Sequence, residues 1–239
     1  MVNKKFAVTL VEILLTIGII GVVATLTIPT LVRNMQDAQC RTALKKTYAI
    51  IANATNKMQY DYGGLPWTAV AKQDGTETTN MFNVYNSYLN FTQTEYIGCA
   101  AYTGPLFAPA YSNYKSTSAS TVAMNVNSYH CTARGGMLND GVSLFFQSLP
   151  GGLGSTINGN VVYVEIRVDV NGPNPPNMFG RDYFYLLVLK NTEGVLSVVP
   201  AGIQGSPGRR YDNCLYWGAN PYGYDGGCTY YAINDLPMP

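Results

Sequence analysis

The chain has 239 residues, with 15 Lys and Arg against 14 Asp and Glu for a net charge of +1, and only 12% of it is charged. A near-neutral balance excludes nucleic-acid binding by bulk electrostatics. The length fits one membrane segment plus one modest domain, at about 100–200 residues per domain.

The chain opens with a short basic stretch, Lys4 and Lys5, before a run from Val8 to Val32 whose only charge is Glu12. A crossing of the bilayer core takes about 20 apolar residues, so this run is long enough to span it. The lysines predict that the N-terminus stays inside and the rest lies outside. A cleaved secretory signal would have a shorter apolar region and a small-residue site after it. A plain anchor leaves Glu12 unexplained, because a carboxylate at the membrane centre costs about 2.5–3.5 kcal/mol.

The spacing predicts one helix continuing past the apolar run. Pro29 removes a backbone donor, so a kink or local melting is expected there, and Gly18 and Gly21 loosen the same segment. After Arg33 the pattern turns amphipathic, with Ala43, Leu44, Thr47, Tyr48, Ile51, Thr55 and Met58 at three- and four-residue spacing. Gly63-Gly64 and Pro66 end it. At 1.5 Å per residue, Val8 to Tyr60 would make a rod of about 80 Å.

A second short helix is expected between Thr79 and Phe91, carrying Met81, Tyr85, Tyr88 and Leu89. From Gly98 to Arg134 the turn residues Gly104-Pro105 and Pro109 predict an irregular loop. The β region is expected from Met137, with a turn at Asn139-Asp140-Gly141 and a strand from Val142 to Gln147. Val161 to Val170 is the clearest strand. Its alternation puts Val162, Val164, Ile166, Val168 and Val170 on one face and Tyr163, Glu165, Arg167 and Asp169 on the other. Strands from Tyr183 to Lys190 and Val195 to Val199 follow, joined as a hairpin by residues 191–194. The expected fold is α+β, a long N-terminal helix on an antiparallel sheet of about four strands.

Enzymatic signatures are missing. There is no G-x-S-x-G, Walker loop or H-E-x-x-H, and the single histidine, His130, is beside Cys131 rather than poised to meet it through the fold. No C-x-x-C points to zinc. Asn53-Ala-Thr55 and Asn90-Phe-Thr92 match glycan-acceptor triplets.

The segment KKFAVTLVEILLTIGIIGVVATLTIP resembles the N-terminus of type IV pilins and of the pseudopilins of type II secretion. The resemblance implies removal of residues 1–7 by a prepilin peptidase between Ala7 and Val8, with N-methylation of the new terminus. It makes Glu12 the fifth mature residue, with Thr9 and Leu10 in the usual places and Pro29 where the family commonly has proline. Ala7 stands in place of the usual Gly, and Val8 in place of Phe or Met. In the family the glutamate pairs with the free α-amine of a neighbouring subunit, an ion pair that offsets desolvation in low dielectric.

The stretch DVNGPNPPNMFGRDYF resembles a pseudopilin loop that binds calcium in some members. Asp169, Asn171, Asn174, Asn177 and Asp182 supply oxygens of the type Ca²⁺ takes. The same residues also read as a rigid turn, since the spacing is not that of an EF-hand. Many pilins carry a C-terminal disulfide loop, which points to Cys214 with Cys228; Cys99 with Cys131 is the next pairing, and Cys40 is left over on the helix.

The chain is thus expected as leader 1–7, transmembrane and polymerisation helix 8–32, amphipathic helix 33–62 and globular head 63–239. Its expected partners are copies of itself, the prepilin peptidase, the inner-membrane assembly platform and the membrane, with no nucleic acid. It would sit in the inner membrane with the head outside, then in a cell-surface or periplasmic filament. Two other readings stay open: a secretion pseudopilin, and an anchored binding domain that never polymerises.

Overall fold

The computed structural model describes residues 9–62, 76–97, 104–107, 110–112, 121–123, 133–148, 156–202, 214 and 227–237. The chain forms two compact units, one ending at Gln39 and the other starting at Cys40. Helix α1, Leu10–Asp61, supplies most of the first unit and the opening of the second. It passes Pro29 without a break in helical structure, so the melting expected there does not occur. The hydroxyls of Thr16, Thr25 and Thr27 fold back onto the carbonyls of Ile13, Gly21 and Val23 at 2.7–2.9 Å.

The second unit is an antiparallel sheet with helices against it. Its elements are α2 (Thr76–Asn86), β1 (Phe91–Ile97), β2 (Ala110–Ser112), β3 (Thr121–Ala123), β4 (Ala133–Leu138), β5 (Ser143–Ser148), β6 (Thr156–Ile157), β7 (Asn160–Asp169), β8 (Tyr183–Lys190), β9 (Leu196–Pro200) and α3 (Cys228–Ile233). Strand order is β1-β4-β5-β7-β8-β9, with β6 on β7 and a separate β2–β3 hairpin. Among the described residues the main sheet has seven strands, so the expected four are too few. β1 and β4 were missed: Gly135-Gly136 weakens β4 as a strand signal, yet it is paired on both sides. Gly136 is needed there, because a Cβ would lie 2.5 Å from the Phe91 ring.

One face of the sheet closes on α1 and α2. Cys40, Leu44, Thr47, Ile51, Ala54, Thr55 and Met58 of α1 are buried, close to the expected stripe. They meet Met81, Phe82 and Tyr85 of α2, Leu144 and Phe146 of β5, Val164, Ile166 and Val168 of β7, and Leu186 and Val188 of β8. The expected turns hold. Gly141 adopts φ +85° between β4 and β5, and Gly194 φ +87° in the hairpin where Asn191 Oδ1 accepts from the Val195 amide.

The other face is buried too, which the sequence reading did not foresee. Phe145, Val162, Tyr183, Tyr185, Leu187 and Leu189 form a second core with Leu106, Phe107, Ile157, Phe179 and Ala201. Two corrections follow. The β7–β8 register shifts between Val162 and Val164, so Val162 joins the second core while Tyr163 packs against the first. Glu165, Arg167 and Asp169 do not face water; all three are buried. Arg167 Nε donates to Glu165 Oε1 at 2.6 Å, and its guanidinium lies 4.9 Å from the Phe145 ring and 5.5 Å from that of Tyr185. Both charged side chains are therefore carried inside by pairing and by ring faces.

The C-terminus is tied to this second side. Cys214 and Cys228 are disulfide-bonded, and Cys228 begins α3. The Tyr230 amide donates to the Ala201 carbonyl, and Thr229 Oγ1 accepts from the Tyr185 amide, each at 2.9 Å. Gly202, at φ +93°, touches Gly227 so closely that a Cβ would fall 2.2 Å from its carbonyl oxygen.

The Glu165–Arg167 pair makes a testable statement. Glu165→Gln removes the carboxylate charge to which the buried Arg167 guanidinium donates and should cost about 3–5 kcal/mol. The double change Glu165→Leu with Arg167→Met should recover most of that loss. Chemical denaturation of the detergent-solubilised chain measures both; a double variant as unstable as the single one contradicts the assignment.

Candidate functional site

The described part of α1 starts where its chemistry concentrates. Thr9 precedes the first helical residue, and Glu12 stands three positions on, the T-x-x-E spacing of a capping box. The contacts run both ways. The Thr9 amide and hydroxyl each donate to Glu12 Oε2 at 2.8 Å, and the Glu12 amide donates to Thr9 Oγ1 at 3.3 Å. The Ile13 amide reaches the Thr9 carbonyl at 3.2 Å, closing the first turn. The glutamate thus satisfies the Thr9 amide, Thr9 in return satisfies the Glu12 amide, and the negative charge sits at the positive end of the helix dipole. Both side-chain contacts fall on Oε2. A carboxylate has about four acceptor positions, so capacity for an outside cation remains. Ala7 and Val8, the expected cleavage pair, lie outside the described residues.

Around this terminus the helix is bare. From Leu10 to Val32 its large apolar side chains are 46–75% exposed. It is one helix long and apolar enough to cross a membrane. At Gly18 and Gly21 an added Cβ would meet nothing within 4 Å.

The loop from Asp169 to Asp182 brings the five expected calcium residues into one turn, and several of their groups bond to the loop itself. Asp182 is fully buried. Its Oδ2 accepts from the Asn177 amide and its Oδ1 from the Met178 amide, both at 2.6 Å. Asp169 Oδ1 accepts from the Asn171 amide at 3.3 Å. Asn171 Nδ2 donates to the carbonyls of Asn174 and Pro175, and Asn174 Nδ2 returns a bond to the Asn171 carbonyl. Gly172 and Asn177 take positive φ, and the Pro175–Pro176 bond is cis. Calcium takes 6–8 oxygens, several of them free carboxylate oxygens. Here the buried carboxylate is committed to N–H groups, and among the described residues no cluster of three His, Cys, Asp or Glu side chains fits a metal. The loop thus satisfies both Asp182 oxygens internally, while the buried Oδ1 of Asn171 accepts no hydrogen bond. Cys99, Cys131 and His130 lie outside the described residues.

No family model, curated protein or solved structure matches the chain. The site therefore rests on its own geometry.

Burial pushes the Asp182 carboxyl above its ordinary value, against the pull of the Met178 and Asn177 amides. A raised folded-state value means that the native state holds the proton more tightly. Stability from this group is then full below the unfolded value of about 3.9 and is lost as pH rises through the folded value. Wild-type stability should show this downward component from about pH 4 upward. Asp182→Asn should abolish it and cost about 1–3 kcal/mol, because a carboxamide cannot accept both amides. Thermal melts across pH measure both effects.

Proposed function

We propose that this chain is a structural subunit of a type IV pilus-like filament, processed by a prepilin peptidase at Ala7–Val8 and assembled through its apolar helix. The observation that carries the reading is the helix from Leu10 to Val32, bare along its length and charged only at Glu12. An apolar surface of this extent needs lipid or protein against it. The threonine hydroxyls within it are bonded to the helix's own carbonyls, which suits a medium without water.

Gly18 and Gly21 support protein as well as lipid. Glycine in a helix interior costs about 0.5–1 kcal/mol relative to alanine. Among the described residues nothing approaches either position, so the described fold does not call for them. Small residues let neighbouring helices come close, and that supplies a reason. The filament reading places the segment in the inner membrane before assembly, with residues after it outside the cytoplasm. The assembly platform and the peptidase are its expected partners.

Glu12 has two jobs to tell apart, capping its own helix and pairing with the α-amine of a neighbouring copy. Glu12→Gln separates them, since glutamine serves in a capping box but carries no charge. Under the pairing mechanism both Glu12→Ala and Glu12→Gln insert into the membrane yet fail to enter filaments. Sheared-fibre fractions, with mass spectrometry of the N-terminal peptide, provide the readout. Filaments that accept the Gln variant as well as wild type reject charge pairing. Processed protein that never leaves the cell body identifies a secretion pseudopilin instead, and protein retaining residues 1–7 as a monomer rejects the filament altogether.

A further inference from the structure

We infer that α1 stands in a lipid bilayer at one fixed height, with the Glu12 carboxylate at the headgroup boundary on one side and the Arg33 guanidinium at the boundary on the other. This register rests on the membrane placement proposed above. It adds which residues meet lipid tails and which meet headgroups.

The distance between the two charges matches the bilayer. Ile13 to Val32 is a run of 20 residues without a charge. The helix passes Pro29 unbroken, so a rise of about 1.5 Å per residue puts Glu12 and Arg33 about 31 Å apart along the axis. The hydrocarbon core is about 30 Å thick. An upright helix fits it with neither tilt nor thinning of the bilayer. Every large apolar side chain between the charges is exposed, and the hydroxyls of Thr16, Thr25 and Thr27 bond to carbonyls of the helix itself. Those hydroxyls need no water at tail depth. Past Arg33 the helix turns polar at once, with Asn34, Gln36 and Asp37.

The competing height centres the whole apolar run from Val8 to Val32. It gains tail contacts for Leu10 and Val11 but draws Glu12 below the headgroups. On the insertion scale one buried carboxylate outweighs several side chains of the size of valine or leucine, so the height set by Glu12 wins. The opening turn of a helix also carries N–H groups with no partner inside the helix. At this height that turn lies level with Glu12, where water reaches it. A membrane-held subunit then keeps Glu12 hydrated and at the same level in every copy. Its desolvation is deferred to contact with a neighbour.

The test places single added tryptophans in the full chain, Val11→Trp and Val22→Trp, in phosphatidylcholine vesicles. The vesicles carry lipids brominated either near the headgroup or near the chain ends. The signal of Trp67 and Trp217 is measured on the unsubstituted chain and subtracted. Val11→Trp should be quenched more by the shallow bromines, and Val22→Trp more by the deep ones. Adding Glu12→Ala should let the helix slide, so that the order at Val11→Trp reverses, and Glu12→Lys should restore the shallow position. A Val11→Trp signal already deep with Glu12 present overturns the register and leaves the membrane placement standing. So does a depth that Glu12→Ala leaves unchanged, or a Glu12→Lys chain as deep as the alanine variant. No quenching at either position overturns the register together with the membrane placement beneath it.

Discussion

The interaction on which the globular unit depends is the buried stripe of α1 between Cys40 and Met58. Leu44, Ile51 and Met58 are wholly buried there, and each apolar side chain of this size contributes about 1.5–3 kcal/mol. The same part of α1 also makes polar contacts with α2, the β4–β5 turn, β9 and the stretch after α3. Tyr85 of α2 donates to Thr55, Lys46 pairs with Asp140 in the β4–β5 turn, and Lys45 pairs with Asp235 beyond α3. Gln59 and Tyr48 reach β9. A helix that only covered the sheet would need the apolar stripe alone. These polar contacts fix its rotation and its height along the strands as well.

What could be read from the amino-acid order was whatever a single period determines. The α1 stripe, the central strands and both glycine turns follow from spacing and turn chemistry and stand close to where expected, whereas the second helix runs Thr76–Asn86, leaving Tyr88 and Leu89 beyond its end and Phe91 at the start of β1. The failures have one physical cause. A period-two pattern reveals a strand only when one face is wet, and this sheet is dry on both. Tyr183 to Leu189 is a continuous apolar run, the signature of a strand buried on both faces. It was the available clue to the second core. Glu165, Arg167 and Asp169 hid that core because charged residues are almost never buried unless paired. β1 and β4 were obscured by glycine and threonine, whose places depend on partners far along the chain.

The helix start was legible because T-x-x-E is a local capping signal, readable by itself. The geometry adds that capping and counter-charge are not rivals for the same atoms. Thr9 engages Oε2, and a carboxylate can accept more than it receives there. An isolated subunit could hold its glutamate in place through the cap and so present it already oriented. Under the proposed pairing, a partner's amine would meet a fixed acceptor with little side-chain entropy left to lose.

The sheet edges bear on how copies would join. An edge strand with open N–H and C=O groups is a template for pairing with another chain. At β9 the groups are closed by side chains of α1. Gln59 Nε2 donates to the Leu196 carbonyl at 3.0 Å, and Gln59 Oε1 accepts from the Leu196 amide at 2.8 Å. The Tyr48 hydroxyl donates to the Val198 carbonyl at 3.0 Å, and Pro200 has no amide to offer. At the opposite edge β1 presents Thr92, Gln93 and Thr94, polar residues at a strand disrupted by a register shift after Phe91. Both are devices that discourage strand addition. With both strand edges guarded, the exposed surface left for association is the apolar helix, the surface on which the proposed filament assembly rests.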